Sequence, residues 1–373
     1  MKKYLSSLLI ACLFGPLAIA QNQVLDGYIS LGLQSNQGLK QKQLDYSADL
    51  AALKEARGLF FPDLSFNARY TVAEGGRTIV FPVGDLMNPV YSTLNMLTGS
   101  ENFPQIENEE FPFFRPREHE TKLTLVQPIF NSEIIQNYKI RKQYTEIARI
   151  DVDRYKRELI REISKAYYQH QKASNLVRLA DTTLSLVAEN LRVSRRLFEN
   201  DKVTIDAVYR SDSELSKVEV QKAQAQNFLE ATRSYFNFLL NRPLDASIDL
   251  MITDPYPVGV SLEDASQSAM ESRDELAQIK QYQQLNAHVT DLYRGNNIPG
   301  LFGVVDYGYQ GEEYSFTGED DFMLASLVMK WNLFQGTVNH HKVKQSKIEA
   351  DKLEELYLET QQQIKLEVIN YFF

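Results

Sequence analysis

The stretch Gln127-Pro128-Ile129-Phe130-Asn131 returns 204 residues later as Trp331-Asn332-Leu333-Phe334-Gln335, so that Phe334 matches Phe130. The same offset carries Tyr167-Tyr168 onto Tyr371-Phe372, one residue before the last position. Upstream, Phe61-Pro62-Asp63-Leu64-Ser65-Phe66 is similar to Ile298-Pro299-Gly300-Leu301-Phe302-Gly303 at an offset of 237, which leaves about 33 additional residues in the first copy. A duplication of this length indicates one architectural unit that is used twice.

The first twenty residues have the features of an export signal. Lys2 and Lys3 give a positive start, an apolar run follows, and Ala18-Ile19-Ala20 is a small-x-small cleavage site. The alternative is Leu9-Ile10-Ala11-Cys12, which resembles a lipoprotein cleavage box and predicts lipidation at Cys12. Cleavage after Ala20 removes the only cysteine, which excludes a disulfide scaffold and a thiol nucleophile.

The charge of the chain argues against a nucleic-acid partner. The signal contains two lysines and no acid, so its removal takes the net charge from −9 to −11. A nucleic-acid-binding protein needs a basic surface instead. No second apolar stretch is long enough for a transmembrane helix, but amphipathic strands have a weak hydropathy signal and remain compatible with this composition.

The period of the apolar residues predicts helices and strands in the first copy. Apolar residues recur at helical spacing before Gly58, and they alternate with polar residues after Pro62. The segments are a helix over 24–57, a strand over 64–72, a long loop over 75–117, a second strand over 119–129 ended by Pro128, and helices over 132–200 and 204–240.

The second copy repeats this order. A helix over 262–294 begins after Ser261, which is a suitable cap with Asp264 at the third helical position. Strands are predicted over 301–310 and 320–332, and a helix from about 337 to the end. The domain prediction is a signal peptide (1–20), a first repeat (21–240, with a β-hairpin over 62–130 and a helical hairpin over 131–240), a linker (241–261) and an incomplete second repeat (262–373, with a β-hairpin over 299–333).

The long helices carry coiled-coil seams, because apolar positions alternate at spacings of three and four. Two neighbouring seams on one helix predict that it packs against two partners. The first seam is Val177, Ala180, Leu184, Val187, Leu191, Ser194 and Phe198, and the second is Leu176, Leu179, Thr183, Leu186, Asn190, Val193 and Leu197. A third, from Val208 to Leu239, lies on the returning helix. Periodicity alone favours a long soluble helical bundle.

The predicted strands argue against a purely helical soluble bundle. A helix over 132–200 would be on the order of 100 Å long. Each strand candidate has about 9–11 residues, the length that crosses a bilayer when tilted. Four strands do not close a membrane barrel, and exposed sheet edges are not tolerated in lipid, so several copies of the chain would have to close one barrel together.

Several segments resemble the TolC-like outer-membrane efflux and secretion channels of Gram-negative bacteria. Residues 56–66 are similar to the entry into the family's first strand, and residues 262–265, 272–276 and 298–301 are similar to the matching pieces of its second half. Residues 239–245 resemble the segment between its repeats, and residues 198–208 resemble its helical hairpin tip. The order and spacing of these segments make the resemblance specific over residues 24–373.

The resemblance implies an α+β membrane protein. Long antiparallel helical hairpins would form an α-barrel, joined to β-hairpins that form a trimeric twelve-stranded β-barrel with four strands per protomer. It implies a homotrimer in outer-membrane lipid that extends into the periplasm, with a periplasmic adaptor and an inner-membrane transporter as partners. The predicted adaptor-contact tip is Phe198, Asn200, Asp201, Lys202, Val203, Thr204 and Ile205.

Two departures from the family concern the tip. Asp201 replaces the usual glycine, and aspartate tolerates left-handed geometry less well, so the turn is expected to be built differently. The family's acidic position after the tip falls at Ala207, beside Asp206, which puts a gating contact there in doubt.

Sequence motifs for catalysis are absent, so no enzyme activity, cofactor, metal or nucleic-acid partner is predicted. His340 and His341 point about 100° apart on a helix, which favours solvated side chains over a shared ion. The acids Glu312, Glu313, Glu319, Asp320 and Asp321 flank a hairpin turn. They are either a solvated loop tip, which is favoured, or a charged ring near the pore mouth.

The sequence therefore predicts a passive outer-membrane conduit of a tripartite efflux or type I secretion system. The alternative is an exported periplasmic coiled-coil scaffold that does not enter the membrane. Efflux of drugs, metal export and protein secretion share this conduit, so the cargo stays open. In the first copy about 70 further residues follow Tyr168, whereas only Phe373 follows the matching Phe372 in the second copy. We therefore expect a truncated or partial form of a channel of roughly 440 residues.

Overall fold

A computed structural model describes residues 23–251, 259–312, 314 and 316–373. The predicted signal with Cys12, and Glu313 of the acidic turn, lie outside the described residues. The chain forms two compact units. The helical unit contains the described residues of Met1–Ala51, Lys142–Leu285 and Ala350–Phe373, and the sheet unit contains those of Ala52–Arg141 and Asn286–Glu349.

Eight helices and six strands make up the described chain. The helices are α1 (Gln23–Ser35), α2 (Gln37–Gly58), α3 (Val83–Thr98), α4 (Ser132–Glu199), α5 (Ile205–Leu239), α6 (Leu262–Ser272), α7 (Asp274–Gly295) and α8 (Val338–Phe372). The strands are β1 (Asp63–Val72), β2 (Thr78–Phe81), β3 (Glu109–Pro112), β4 (Arg117–Phe130), β5 (Gly300–Gly311) and β6 (Asp321–Lys330). The predicted helices over 132–200, 204–240 and from 337 are therefore confirmed as α4, α5 and α8.

The core of the helical unit lies where α1, α2, α4 and α5 meet. Tyr167 and Ile163 of α4 and Phe236 of α5 are fully buried there. The ring of Tyr28 meets that of Phe236 edge to face, with centroids 5.0 Å apart, and a Cβ at Gly32 would clash with Ile163. Exposed faces of α4 carry Arg–Glu pairs at a spacing of three, such as Arg161 with Glu158, which support the long helix.

The predicted single helix over 24–57 is wrong at one position, because Asn36 separates α1 from α2. The Asn36 Oδ1 accepts a hydrogen bond of 2.9 Å from the Leu39 backbone N–H and so caps the start of α2. Its Nδ2 donates to the Leu239 carbonyl at 2.9 Å, near the end of α5. The break therefore satisfies a helix start and a helix end with one buried side chain.

The predicted helix over 262–294 is also two helices. Ser261 caps α6 as predicted, with its Oγ accepting from the Asp264 N–H at 3.1 Å. Arg273 then takes an extended backbone conformation and ends α6. Its guanidinium pairs with Glu367 of α8 at 2.8 Å, and Arg157 of α4 pairs with Asp274 at the start of α7. Ion pairs to two other helices thus accompany the break.

The sheet unit contains a four-stranded antiparallel sheet in the order β1-β4-β5-β6. All four strand candidates of the sequence are therefore confirmed. The prediction that Pro128 ends its strand is wrong, since β4 continues to Phe130. The pairing with β5 shifts register between Pro128 and Phe130, and this irregularity accommodates the missing N–H of proline.

The predicted loop over 75–117 is wrong, because this segment, the excursion, contains β2, α3 and β3. The strands β2 and β3 form a two-stranded antiparallel sheet. Asn88 of α3 exchanges two hydrogen bonds of 2.9 Å with the backbone of Ile106, and Asn95 does the same with Phe103 at 2.8 and 3.1 Å. Asparagine side chains on the helix thus replace a strand partner for the backbone of the following segment.

The division of the sequence at residues 20, 240 and 261 stays a prediction. Among the described residues, no helix combines the length and the apolar character needed to cross a lipid bilayer.

Candidate functional site

One face of the four-stranded sheet is apolar and exposed. The antiparallel registers place Phe66 beside Leu123, Leu123 beside Tyr307, and Tyr307 beside Met323, so these side chains share one face. Their exposure ranges from 44% for Leu123 to 71% for Met323. Leu64, Val72, Leu327 and Met329 extend the same face and are equally open. An apolar surface on all four strands indicates contact with an apolar environment.

The opposite face of β1, β4 and β5 carries a ladder of charges. Arg69 pairs with Glu120 at 3.2 Å, Glu120 with Lys122 at 2.9 Å, and Lys122 with Asp306 at 3.5 Å. Thr124 donates to Asp306 at 2.6 Å. The sequence predicts the alternation of apolar and polar residues along a strand. It does not predict this ladder, because the ladder depends on how β1, β4 and β5 pair. The strands β1, β4 and β5 therefore have one apolar and one polar face, whereas β6 carries Phe322, Leu324 and Val328 on the side of the ladder.

The sheet ends on two open edges. Within the described residues, β1 pairs only with β4 and β6 pairs only with β5. Each edge strand presents a row of backbone donors and acceptors next to apolar side chains. Such an edge is a template for pairing with another chain.

The seven residues of the predicted adaptor-contact tip extend from the last turn of α4, through the α4–α5 connection, to the first residue of α5. The Asp201 N–H donates to the Phe198 carbonyl at 2.9 Å, and the Lys202 N–H donates to the Leu197 carbonyl at 2.8 Å. This is the Schellman pattern at a helix end, and it requires a left-handed residue. Asp201 takes that role with φ +56°. The expectation of a differently built turn is therefore wrong, because aspartate adopts the geometry expected of glycine.

The tip presents mixed chemistry to solvent. Phe198 and Ile205 are about two-fifths exposed, and Lys202 and Thr204 are exposed between them, whereas Val203 is partly covered. Apolar groups around one cation suit a protein partner better than a small ligand. Ala207 is partly covered and Asp206 exposed, in the first turn of α5. Contact with an adaptor stays a prediction.

The two seams on α4 differ in burial. In the first seam Leu191 is buried and five others are partly covered, leaving only Phe198 open, and Ser194 meets Ser211 of α5 at 3.0 Å. In the second seam Leu179 and Leu186 are 62% and 70% exposed. One of the two predicted partners is therefore α5 of the same chain, and Leu179 and Leu186 of the second seam are left open to solvent.

His119, which no sequence pattern singled out, is fully buried near the start of β4. Neither ring nitrogen has a hydrogen-bond partner among the described residues. The ring stacks on Tyr314 of the β5–β6 turn with centroids 4.7 Å apart, and Phe316 lies 5.7 Å away. Only the fold brings these aromatic groups together, so no local pattern announces them.

Hydrogen bonds to Asp320 stabilise the acidic turn. Asp320 accepts from the Thr317 hydroxyl at 2.6 Å, and its carbonyl accepts from the Gln310 N–H. Glu312, Glu319 and Asp321 are exposed, and a charged ring stays a prediction. No group of three potential metal ligands occurs among the described residues. The rings of His340 and His341 are 5.4 Å apart at the start of α8.

Several solved structures are similar to this chain. The CmeC outer-membrane channel of Campylobacter jejuni superposes with a TM-score of 0.73 at 14% identity, covering 91% of this chain and 68% of that one. The outer-membrane channel OprN gives 0.72 at 16% identity, covering 93% and 72%. The outer-membrane protein VceC of Vibrio cholerae gives 0.71 at 13% identity, covering 91% and 75%.

Similarity at the level of sequence is weak. No protein-family model matches the chain, and a search of curated proteins finds no similar sequence. The structural similarity nevertheless covers both units, from the long helices to the four-stranded sheet. The chain has the fold of the TolC-like outer-membrane channels.

Proposed function

We propose that this chain is the outer-membrane channel of a tripartite efflux or type I secretion system in a Gram-negative bacterium. It would act as a passive trimeric conduit from the inner-membrane pump and the periplasm to the outside. The observation that carries the proposal is the four-stranded sheet with one exposed apolar face, a charge ladder on the opposite face of β1, β4 and β5, and two open edges. In a soluble protein, such an apolar face beside two unpaired strand edges would favour aggregation.

The dimensions of the strands support insertion in a membrane. Strands β1, β4, β5 and β6 have 10, 14, 12 and 10 residues. A tilted strand of about 9–11 residues crosses the hydrocarbon core. The apolar face would contact lipid, and the ladder around Lys122 would face the water-filled interior.

The open edges support assembly from several copies. Unpaired backbone groups are too costly in lipid, so each edge must find a partner strand. Four strands are too few to enclose a lumen, whereas three copies supply twelve strands. The exposed second seam on α4 supports the same conclusion, because a neighbouring copy would cover it.

The partners of the proposed channel follow from the resemblance and from the tip. A periplasmic adaptor would contact the α4–α5 connection, where Phe198, Lys202 and Ile205 are exposed. An inner-membrane transporter would supply the energy, so that the channel itself carries no catalytic step.

The second candidate, an exported periplasmic coiled-coil scaffold, is favoured only by the seams on α4 and α5. The two candidates differ in their contact with lipid. The chain of residues 1–373, expressed with its predicted signal, should stay in the outer-membrane fraction, require detergent for extraction, and migrate differently on gels before and after heating. In planar bilayers it should conduct ions. Recovery in the soluble fraction without detergent would contradict the channel function and favour the scaffold.

A further inference from the structure

The two open edges of the sheet are matched in length and direction. Strands β1 and β6 each have ten residues. Because neighbours in the order β1-β4-β5-β6 are antiparallel, β1 and β6 run in opposite directions. The start of β1 at Asp63 and the end of β6 at Lys330 therefore lie at the same end of the sheet. A second copy can continue the sheet by placing its β6 antiparallel to β1.

The faces of the strands restrict how the two edges can pair. On β1 the apolar face carries the even-numbered residues, such as Phe66, and on β6 it carries the odd-numbered residues, such as Met323. A continuous apolar face across the junction requires an even-numbered β1 residue opposite an odd-numbered β6 residue. A slip by one residue would move every side chain to the wrong face.

The charges at the strand ends select among the remaining registers. Asp63 and Lys330 lie on the polar face at the same end of the sheet and are both exposed. Neither forms an ion pair within the described residues. Opposite charges that face each other across a strand pair are stabilising.

We propose that β1 pairs with β6 of a second copy in the register that places Asp63 opposite Lys330 and Val72 opposite Asp321. This register rests on the proposed function, and it adds to it the residues that form the joint. It uses all ten residues of each strand. It also continues the apolar face through Leu64 opposite Met329, Phe66 opposite Leu327, and Tyr70 opposite Met323.

The two nearest alternatives are less complete. A shift by two residues in either direction keeps the apolar face continuous. It leaves two residues of each strand without a partner, however, and moves Asp63 and Lys330 apart. In lipid each unpaired backbone group is costly, so the flush register is favoured on both counts.

Paired cysteines test this register. The only cysteine of the chain, Cys12, lies far from the strands in sequence, so engineered thiols report on the joint alone. Asn67 and Ser326 are exposed, lie on the polar face and face each other in the proposed register. Asn67→Cys with Ser326→Cys should give disulfide-linked dimers and trimers on non-reducing gels. The matched controls, Asn67→Cys with Leu324→Cys and Asn67→Cys with Val328→Cys, should cross-link several-fold less.

The outcomes separate this register from the function on which it rests. Dominant cross-linking in either control pair would overturn the register and leave a multimeric channel standing. A heat-modifiable multimer without cross-links in any pair would show that the edges do not meet. A soluble monomer without cross-links would overturn the channel as well.

A charge exchange gives a second readout without cysteines. Asp63→Lys and Lys330→Asp should each lower the temperature at which the multimer dissociates on gels. The double variant should restore most of that loss, because the pair is only reversed. Two single losses that add without any restoration would contradict the proposed pair.

Discussion

His170 is buried between the two long helices, and it links stability to pH. Its Nδ1 lies 3.1 Å from the Thr232 hydroxyl, and burial, followed by the charge of Arg233, holds the pKa of His170 below its ordinary value. His170 therefore binds a proton less readily in the folded chain than in the unfolded chain, where it becomes protonated below about pH 6.5. Stability should be complete above that pH and fall as the pH drops toward the lowered pKa of the folded state.

The variant His170→Gln should reduce this dependence. Between about pH 7.5 and about pH 5.5, the free energy of unfolding from urea titrations should fall less steeply than in the parent chain. Burial also lowers the pKa of His288, so part of the slope should persist. His341→Gln is the matched control, because His341 is exposed. An unchanged slope in His170→Gln would contradict this assignment.

At the scale of elements, the break at Asn36 is held by a single side chain. Asn36 caps α2 and also donates to the Leu239 carbonyl, and only 7% of the residue is exposed. Asn36→Ala removes the cap and leaves a buried carbonyl without its donor, which should cost about 1–3 kcal/mol of unfolding free energy. Asn200→Ala at the exposed tip is the control and should cost less than half as much. Equal losses in urea titrations would argue against a special role for Asn36.

Local patterns predicted the elements whose period is sustained. The seams carry α4 and α5 over many turns, and the alternation from Leu64 to Val72 marks β1. The breaks at Asn36 and Arg273 were missed because their partners, Leu239 and Glu367, are distant in sequence. Arg273 has a high helix propensity, so only the packed fold favours the second interruption, whereas Asn36, a preferred N-cap residue, and Gly38 gave a local signal for the first.

The excursion and the site show the same limit. Asn88 and Asn95 are ordinary loop residues in sequence, yet in the fold they hold the segment that follows α3 through paired hydrogen bonds. The ladder from Arg69 to Asp306 exists only once three strands are in register. The tip, in contrast, was predicted from the resemblance and the helix break, because all its members lie within residues 198–205.

At the scale of the whole molecule, the second seam on α4 predicts how copies meet outside the sheet. Leu186 is 70% exposed in the single chain, whereas burial of a leucine side chain is worth about 1.5–3 kcal/mol. If a neighbouring copy covers this seam, Leu186→Glu should place a charge in each of the junctions. The multimer should then dissociate several degrees lower on heated gels, while the helical circular dichroism signal of the chain stays within error of the parent.

The control for this prediction is Ala188→Glu. Ala188 is exposed on α4 and lies outside both seams, so it adds the same charge without entering a junction. Its multimer should dissociate at the parent temperature. If Leu186→Glu and Ala188→Glu behave alike, the second seam faces solvent in the assembly, and contact between copies must be confined to the strands. If only Leu186→Glu weakens the multimer, the helices contribute a joint of their own, independent of the register at β1 and β6.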